Sequence, residues 1–191
     1  MAKSKEIATI SVFTALTVTL NLSPFKFPAP YAPFLYYQIW EIPIVAAFIL
    51  YGPTIAVAIS MLNTLALLVL FPGELPTGPL YNFAAVLAML LGIYLAHLMR
   101  RKSLSKRTAM LPILATGLGA LFRVIVMTLV NWVFVRYPPP IGFSMPEEAI
   151  LAILPFVAFF NATLTLYTIP IGYMLARAIS SGIKIGMWRP G

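Results

Sequence analysis

Arg123 and Glu41 are the charged side chains of this sequence that fall within or against apolar runs and away from the charged tails. A buried arginine in an apolar segment costs at least about 2.5–3.5 kcal/mol on insertion scales and is a functional candidate by default. Arg123 either lines a ligand pocket or is satisfied by helix-end carbonyls or by Glu41. Glu41 stands just before Pro43 at a helix start, where a carboxylate complements the helix dipole. An interfacial cap, a ligand contact and a contact to Arg123 are all open to it. Asn63, Asn82, Asn131 and Asn161 each fall on a different apolar segment. Amides in hydrocarbon need partners, either across helices or in a ligand. Asn82 and Asn131 lie near the ends of their segments beside loops, which makes them the better ligand candidates. Phe34, Tyr36 and Tyr37 belong to an aromatic, proline-rich stretch, residues 23–38. Their rings suit stacking on a planar ligand or a belt at the membrane interface. Trp40 and Trp132 share that ambiguity, and Trp188 reads as an interfacial anchor.

Other chemistries are poorly served. There are five acidic residues, one histidine (His97) and no cysteine. Zinc sites take three or four protein ligands, and no plausible set exists. The chain has no GxxxxGK[ST] phosphate loop, no GxSxG and no HExxH, so it neither binds ATP by that route nor matches those hydrolases. Few acids leave little for acid–base catalysis or proton coupling.

The elements that position these residues are membrane helices. Of the 191 residues, 61% are hydrophobic and 9% charged, with a mean hydropathy of +0.93; soluble domains carry about 25% charged residues. The net charge of +8 comes from basic residues at the ends of apolar runs, so topology explains it better than nucleic acid does. The sequence predicts an all-α integral membrane protein, a single domain over 1–191, with helices at 7–22, 39–51, 54–71, 80–99, 108–135 and 150–179. The first is read as a retained helix, since no small-residue cleavage site precedes the prolines. Prolines 24, 28, 30 and 33 make 23–38 a stiff, non-helical loop, a lid over a pocket. The second segment is short for a span, and Gly52-Pro53 turns it into the third as a tight hairpin. Pro155 and Pro170 are expected kinks in the sixth.

Basic residues set the orientation. With six spans, Lys3, Lys5, the Arg100–Arg107 cluster, Arg177, Lys184 and Arg189 share one side. The positive-inside rule puts that side, with both termini, in the cytoplasm, and the three proline-rich loops outside. Ala8, Ser11 and Ala15 form a small-residue stripe at helical spacing. Such stripes let a second helix approach closely, within this chain or in another membrane protein.

The order FLYYQIWEIP, FILYGP, a helix with Asn63, GPLYNF at 78–83 and RVIVMTLVNW at 123–132 resembles the S components of energy-coupling factor (ECF) transporters. The riboflavin-type members are most similar. The resemblance spans nearly the whole chain, though one acid rather than two precedes Ile-Pro and the first-helix motif is Ser11-xxx-Ala15. It implies a six-helix binding protein of the cell membrane, not an enzyme, that captures a vitamin and joins a membrane T component and two cytoplasmic ATPases. It implies no cofactor, and a ligand of riboflavin type or another vitamin or precursor. It implies ligand contacts from Glu41, Asn82, Asn131 and Arg123, and T-component docking at Ala8, Ser11 and Ala15. A proton-coupled carrier and a small membrane enzyme acting on lipid are the readings from other classes.

Overall fold

The computed structural model describes residues 2–70, 75–102 and 110–190. Glu74, Lys106 and Arg107 lie outside them, as do the side chains of Lys3, Arg101 and Lys102. The elements in order are α1 (Ala2–Leu22), β1 (Phe27–Ala29), β2 (Ala32–Tyr37), α2 (Ile42–Tyr51), α3 (Pro53–Leu70), α4 (Gly78–Lys102), α5 (Met110–Phe134) and α6 (Glu147–Ile183). Four helices among the described residues are long and apolar enough to cross a membrane: α3, α4 to Arg100, α5 and α6. The chain is a multi-pass, all-α membrane protein carrying one small hairpin.

Helix α2 is the innermost element. Its sequence, IPIVAAFILY, is apolar on every side, and Ile42 through Leu50 are all buried; a helix that is apolar all round belongs in a core. Ten residues rise about 15 Å, half of a bilayer core of about 30 Å, so α2 is short for a span and is enclosed by the longer helices. It packs on α3 and α6, while α4 packs on α5 and α5 on α6. The helix starts at Ile42 and not at 39, because residues 39–41 form the bend that leads into it. At its other end Gly52 adopts φ +94°, with its N–H donating to Phe48 O at 2.8 Å, and Pro53 starts α3. A positive φ favours glycine, and proline suits the first helical position.

Two other boundaries extend past the apolar runs. Helix α1 begins at Ala2, since Lys and Glu are good helix formers and hydropathy marks the membrane rather than the helix. Helix α6 begins at Glu147, where Glu147 and Glu148 in the first turn complement the dipole. It continues through Pro155 and Pro170 to Ile183.

The stiff loop of 23–38 contains an antiparallel hairpin, with Phe27 opposite Tyr37 and Pro28 opposite Tyr36, irregular beyond Pro28. Prolines are tolerated there because a two-stranded ribbon consists only of edge strands. The hairpin rests on α6 through aromatic contacts. Tyr31 stacks on Phe156 and meets Phe159 edge-on at 5.1 Å, and Tyr37 lies 4.9 Å from Phe160.

Close contact of α4 and α5 sets the spacing of the bundle. A Cβ at Gly92 would lie 2.4 Å from the Leu118 carbonyl oxygen, so only glycine lets these backbones approach so closely.

Candidate ligand-binding site

A cavity of about 510 Å³ opens at the hairpin end of the bundle. Every element contributes to its wall except α2 and β1: Asn21 from the end of α1, Leu35 and Gln38 from the hairpin strand and its exit, Leu67 from α3, Tyr81 and Asn82 from α4, Asn131 from α5 and Asn161 from α6. This size falls within the roughly 300–1,000 Å³ range of small-molecule sites. The polar lining is mostly amide, with Lys26 at the mouth and Arg123 at the base.

Arg123 is tied down on every side. It is 3% exposed, and its Nη2 donates to Glu41 Oε1 at 2.9 Å while Nη1 donates to Glu41 Oε2. Its Nε donates to Asn161 Oδ1 at 2.8 Å, and Nη1 also faces Met89 Sδ at 3.8 Å. The fork of the guanidinium matches the carboxylate, which gives the strongest form of such a pair. One side chain thereby joins α5 to the start of α2, to α6 and to α4. Glu41, 2% exposed, is the entry residue of α2 and makes no side-chain cap bond. Its carboxylate is turned to Arg123 instead of to the helix N–H groups.

The sequence-predicted residues divide into three groups. Asn82, Arg123, Asn131 and Asn161 come together on the cavity wall. Asn131 Nδ2 donates to Met127 O and Asn161 Nδ2 to Val157 O, each at 2.8 Å. These backbone bonds hold the amide oxygens in fixed directions. Glu41 and Tyr37 stand behind the wall. Glu41 is paired with Arg123, and Tyr37 holds the hairpin to α6, with its hydroxyl 2.6 Å from Thr163 Oγ1 and bonded to Tyr31. Burial pushes the Tyr31 hydroxyl above its ordinary pKa, helped by its bond to Tyr37. Phe34, Tyr36 and Asn63 are not part of the described cavity wall. Phe34 and Tyr36 are exposed on the hairpin, and Asn63 is buried in α3 at 1% exposure with its Oδ1 unpartnered among the described residues.

Asn21 and Gln38 were not among the sequence candidates. Asn21 Nδ2 and Gln38 Oε1 are both buried and both lack a hydrogen-bond partner among the described residues. Both residues line the cavity. A buried unpaired polar atom costs about 1–3 kcal/mol, so an unpaired donor and an unpaired acceptor in one cavity wall would each gain from a polar partner there. The proline-rich stretch hid this. Its aromatics carry the stronger sequence signal, while Asn21 sits at the last turn of an apolar helix and Gln38 just past a strand.

The hairpin is fastened as a rim. Tyr167 OH donates to Gln38 O from α6. Across the mouth, Tyr81 OH donates to Ile141 O at 2.7 Å, and Thr77 Oγ1 donates to Pro140 O, joining the α4 entrance to the α5–α6 loop.

Ala8, Ser11 and Ala15 are exposed on the outer face of α1. Ile7, Val12 and Leu16 beside them are exposed as well. Phe13 and Thr17 on the opposite face are buried. Trp188 packs inward, stacked on Tyr94 at 6.0 Å and 5.6 Å from the His97 ring. Trp40 is buried, and Trp132 is exposed with the Arg136 guanidinium 5.2 Å over its ring.

No family model and no curated protein matches this chain. A solved structure of the S component of a bacterial ECF transporter superimposes on it with a TM-score of 0.71 at 24% sequence identity. The match covers 95% of this chain and 99% of that one. The chain therefore has the S-component fold over nearly its full length.

Proposed function

We propose that this protein is the high-affinity substrate-binding component of an ATP-dependent ECF-type uptake transporter, with riboflavin or a related flavin as ligand. The observation that carries the reading is the amide-lined cavity of about 510 Å³ at the hairpin end of an S-component fold. Amide side chains present both donors and acceptors without net charge, which suits a neutral heteroaromatic ring bearing amide-like edges. Among the described residues, Lys26 at the mouth and the charge-neutral Arg123–Glu41 pair at the base leave no free carboxylate in the wall.

In this reading the protein binds and does not catalyse. It lies in the cell membrane with the hairpin outside and the basic end in the cytoplasm, as the positive-inside rule orients it. The exposed stripe of Ala8, Ser11 and Ala15 would receive a helix of the membrane T component, which couples it to two cytoplasmic ATPases. An outward-facing small-residue stripe that its own bundle leaves uncovered supports this role.

Flavin fluorescence tests the ligand directly. Purified protein should quench riboflavin fluorescence with a submicromolar Kd, and mass spectrometry of gently purified protein should find a retained flavin. Absence of quenching, with a different vitamin retained, would remove riboflavin and keep the binding role. If no vitamin binds at all, the binding role is wrong. Docking is read separately: Ser11→Trp should abolish co-purification with a T component and leave ligand affinity unchanged.

A further inference from the structure

A second cavity, about 410 Å³, lies at the opposite end of the bundle. We infer that it binds the phosphate of an anionic phospholipid headgroup. Two guanidinium groups, Arg100 at the end of α4 and Arg189 in the tail, line this cavity. Among the described residues no acidic side chain lines it, and their one salt bridge, Arg123–Glu41, belongs to the other site. Arginine forks match phosphate oxygens, and basic pockets between membrane helices receive lipid headgroups.

The tail is held in place to build this site. Trp188 N–H donates to Ile49 O at 2.9 Å, the last turn of α2. The Trp188 ring is boxed by Phe48, Tyr94 and His97, and His97 Nε2 lies 2.9 Å from Tyr173 OH. The indole also covers Gly52, where a Cβ would come within 2.6 Å of Trp188 Nε1. This anchoring brings the adjacent Arg189 to the same cavity as Arg100, so the two charges converge from elements far apart in sequence.

The other wall selects a lipid over a free anion. Ile49, Leu111 and Met187 are apolar and share the cavity with the arginines. A headgroup carrying acyl chains satisfies both walls, whereas inorganic phosphate leaves the apolar wall empty. Arg100 lies near the end of α4, at the start of the basic run Arg100–Arg107 of the sequence, which sets the cavity at headgroup depth. The site is separate from the amide-lined cavity and does not depend on what that cavity binds.

Native mass spectrometry of the full-length protein released from mixed phosphatidylglycerol and phosphatidylcholine micelles tests the inference. Retention of one phosphatidylglycerol in preference to phosphatidylcholine is expected. Arg100→Gln and Arg189→Gln should each weaken retention about fivefold, in line with one cation near a headgroup. Arg189 is exposed in the tail, so Arg189→Gln leaves the helical bundle intact. Lys5→Gln, a charge at the same end outside the cavity, should change nothing. Equal retention of the two lipids, or equal loss with Lys5→Gln, would overturn the site as diffuse charge. Full displacement of the lipid by millimolar inorganic phosphate would overturn the lipid assignment.

Discussion

The Arg123–Glu41 pair should behave as a latch whose halves are unequal to their sum. Replacing Glu41 by Leu leaves a guanidinium that is 3% exposed and has lost both carboxylate bonds. Each charge-assisted bond contributes about 1.5–3 kcal/mol, and removing one partner of a buried pair typically costs about 3–5 kcal/mol. At about 2–4 °C per kcal/mol for a chain of this size, Tm should fall by about 10 °C. The double variant Glu41→Leu/Arg123→Met removes both charges and should recover most of that loss, because apolar replacement of a buried pair is often close to neutral. Thermal unfolding of wild type, both single variants and the double variant in one detergent gives the coupling energy by a double-mutant cycle. A Tm change below 2 °C for Glu41→Leu, or strictly additive losses in the double, would refute the latch. Ligand affinity measured on the same four proteins separates the roles. Because Glu41 stands behind the wall, Glu41→Leu should weaken binding less than it weakens stability, while Asn82→Leu, an added variant at an exposed wall residue, should do the reverse.

Further outcomes follow from the same geometry. Gln38→Met and Asn21→Leu should each weaken ligand binding by about 1–3 kcal/mol with Tm of the empty protein unchanged or raised, since each removes a buried unsatisfied group; calorimetry and thermal scans on the same samples decide it. Tyr37→Phe removes the hydroxyl that joins Thr163 and Tyr31, so the hairpin should loosen and the ligand off-rate rise severalfold by stopped-flow fluorescence, with little change in global Tm. Gly92→Ala sets a methyl against the Leu118 carbonyl and should cost about 1–3 kcal/mol or more as overpacking, measured as loss of folded protein on gel filtration. Gly52→Ala combines a positive φ with the Trp188 contact and should destabilise by about 1–3 kcal/mol.

Much of the helical framework is legible in the sequence because its causes are local. Apolar run length, the Gly52-Pro53 junction and the prolines of 23–38 report on short stretches of chain. The hairpin was hidden for the same reason: its strands are set by pairing with each other and by docking on Phe156, Phe159 and Phe160, more than a hundred residues later. Arg123 and Glu41 stood out singly, as charges in apolar surroundings. Asn63 looked like its fellow asparagines in sequence yet lies buried in α3, one turn below the cavity-lining Leu67 on the same face, because depth along the helix and not residue type decides which amide reaches the cavity.

By itself the sequence determined that the chain enters a membrane, where its helices run and which residues are too polar to be idle there. Those are consequences of transfer free energy and backbone hydrogen bonding, which act over a few turns. Only the tertiary structure decided that α2 is buried on every side, that Glu41 answers Arg123, that Asn21 and Gln38 bring unpaired groups to the cavity wall, and that Trp188 carries Arg189 to Arg100. Each of these depends on contacts between residues distant in sequence, and their geometry is fixed by close packing of the bundle rather than by any local pattern.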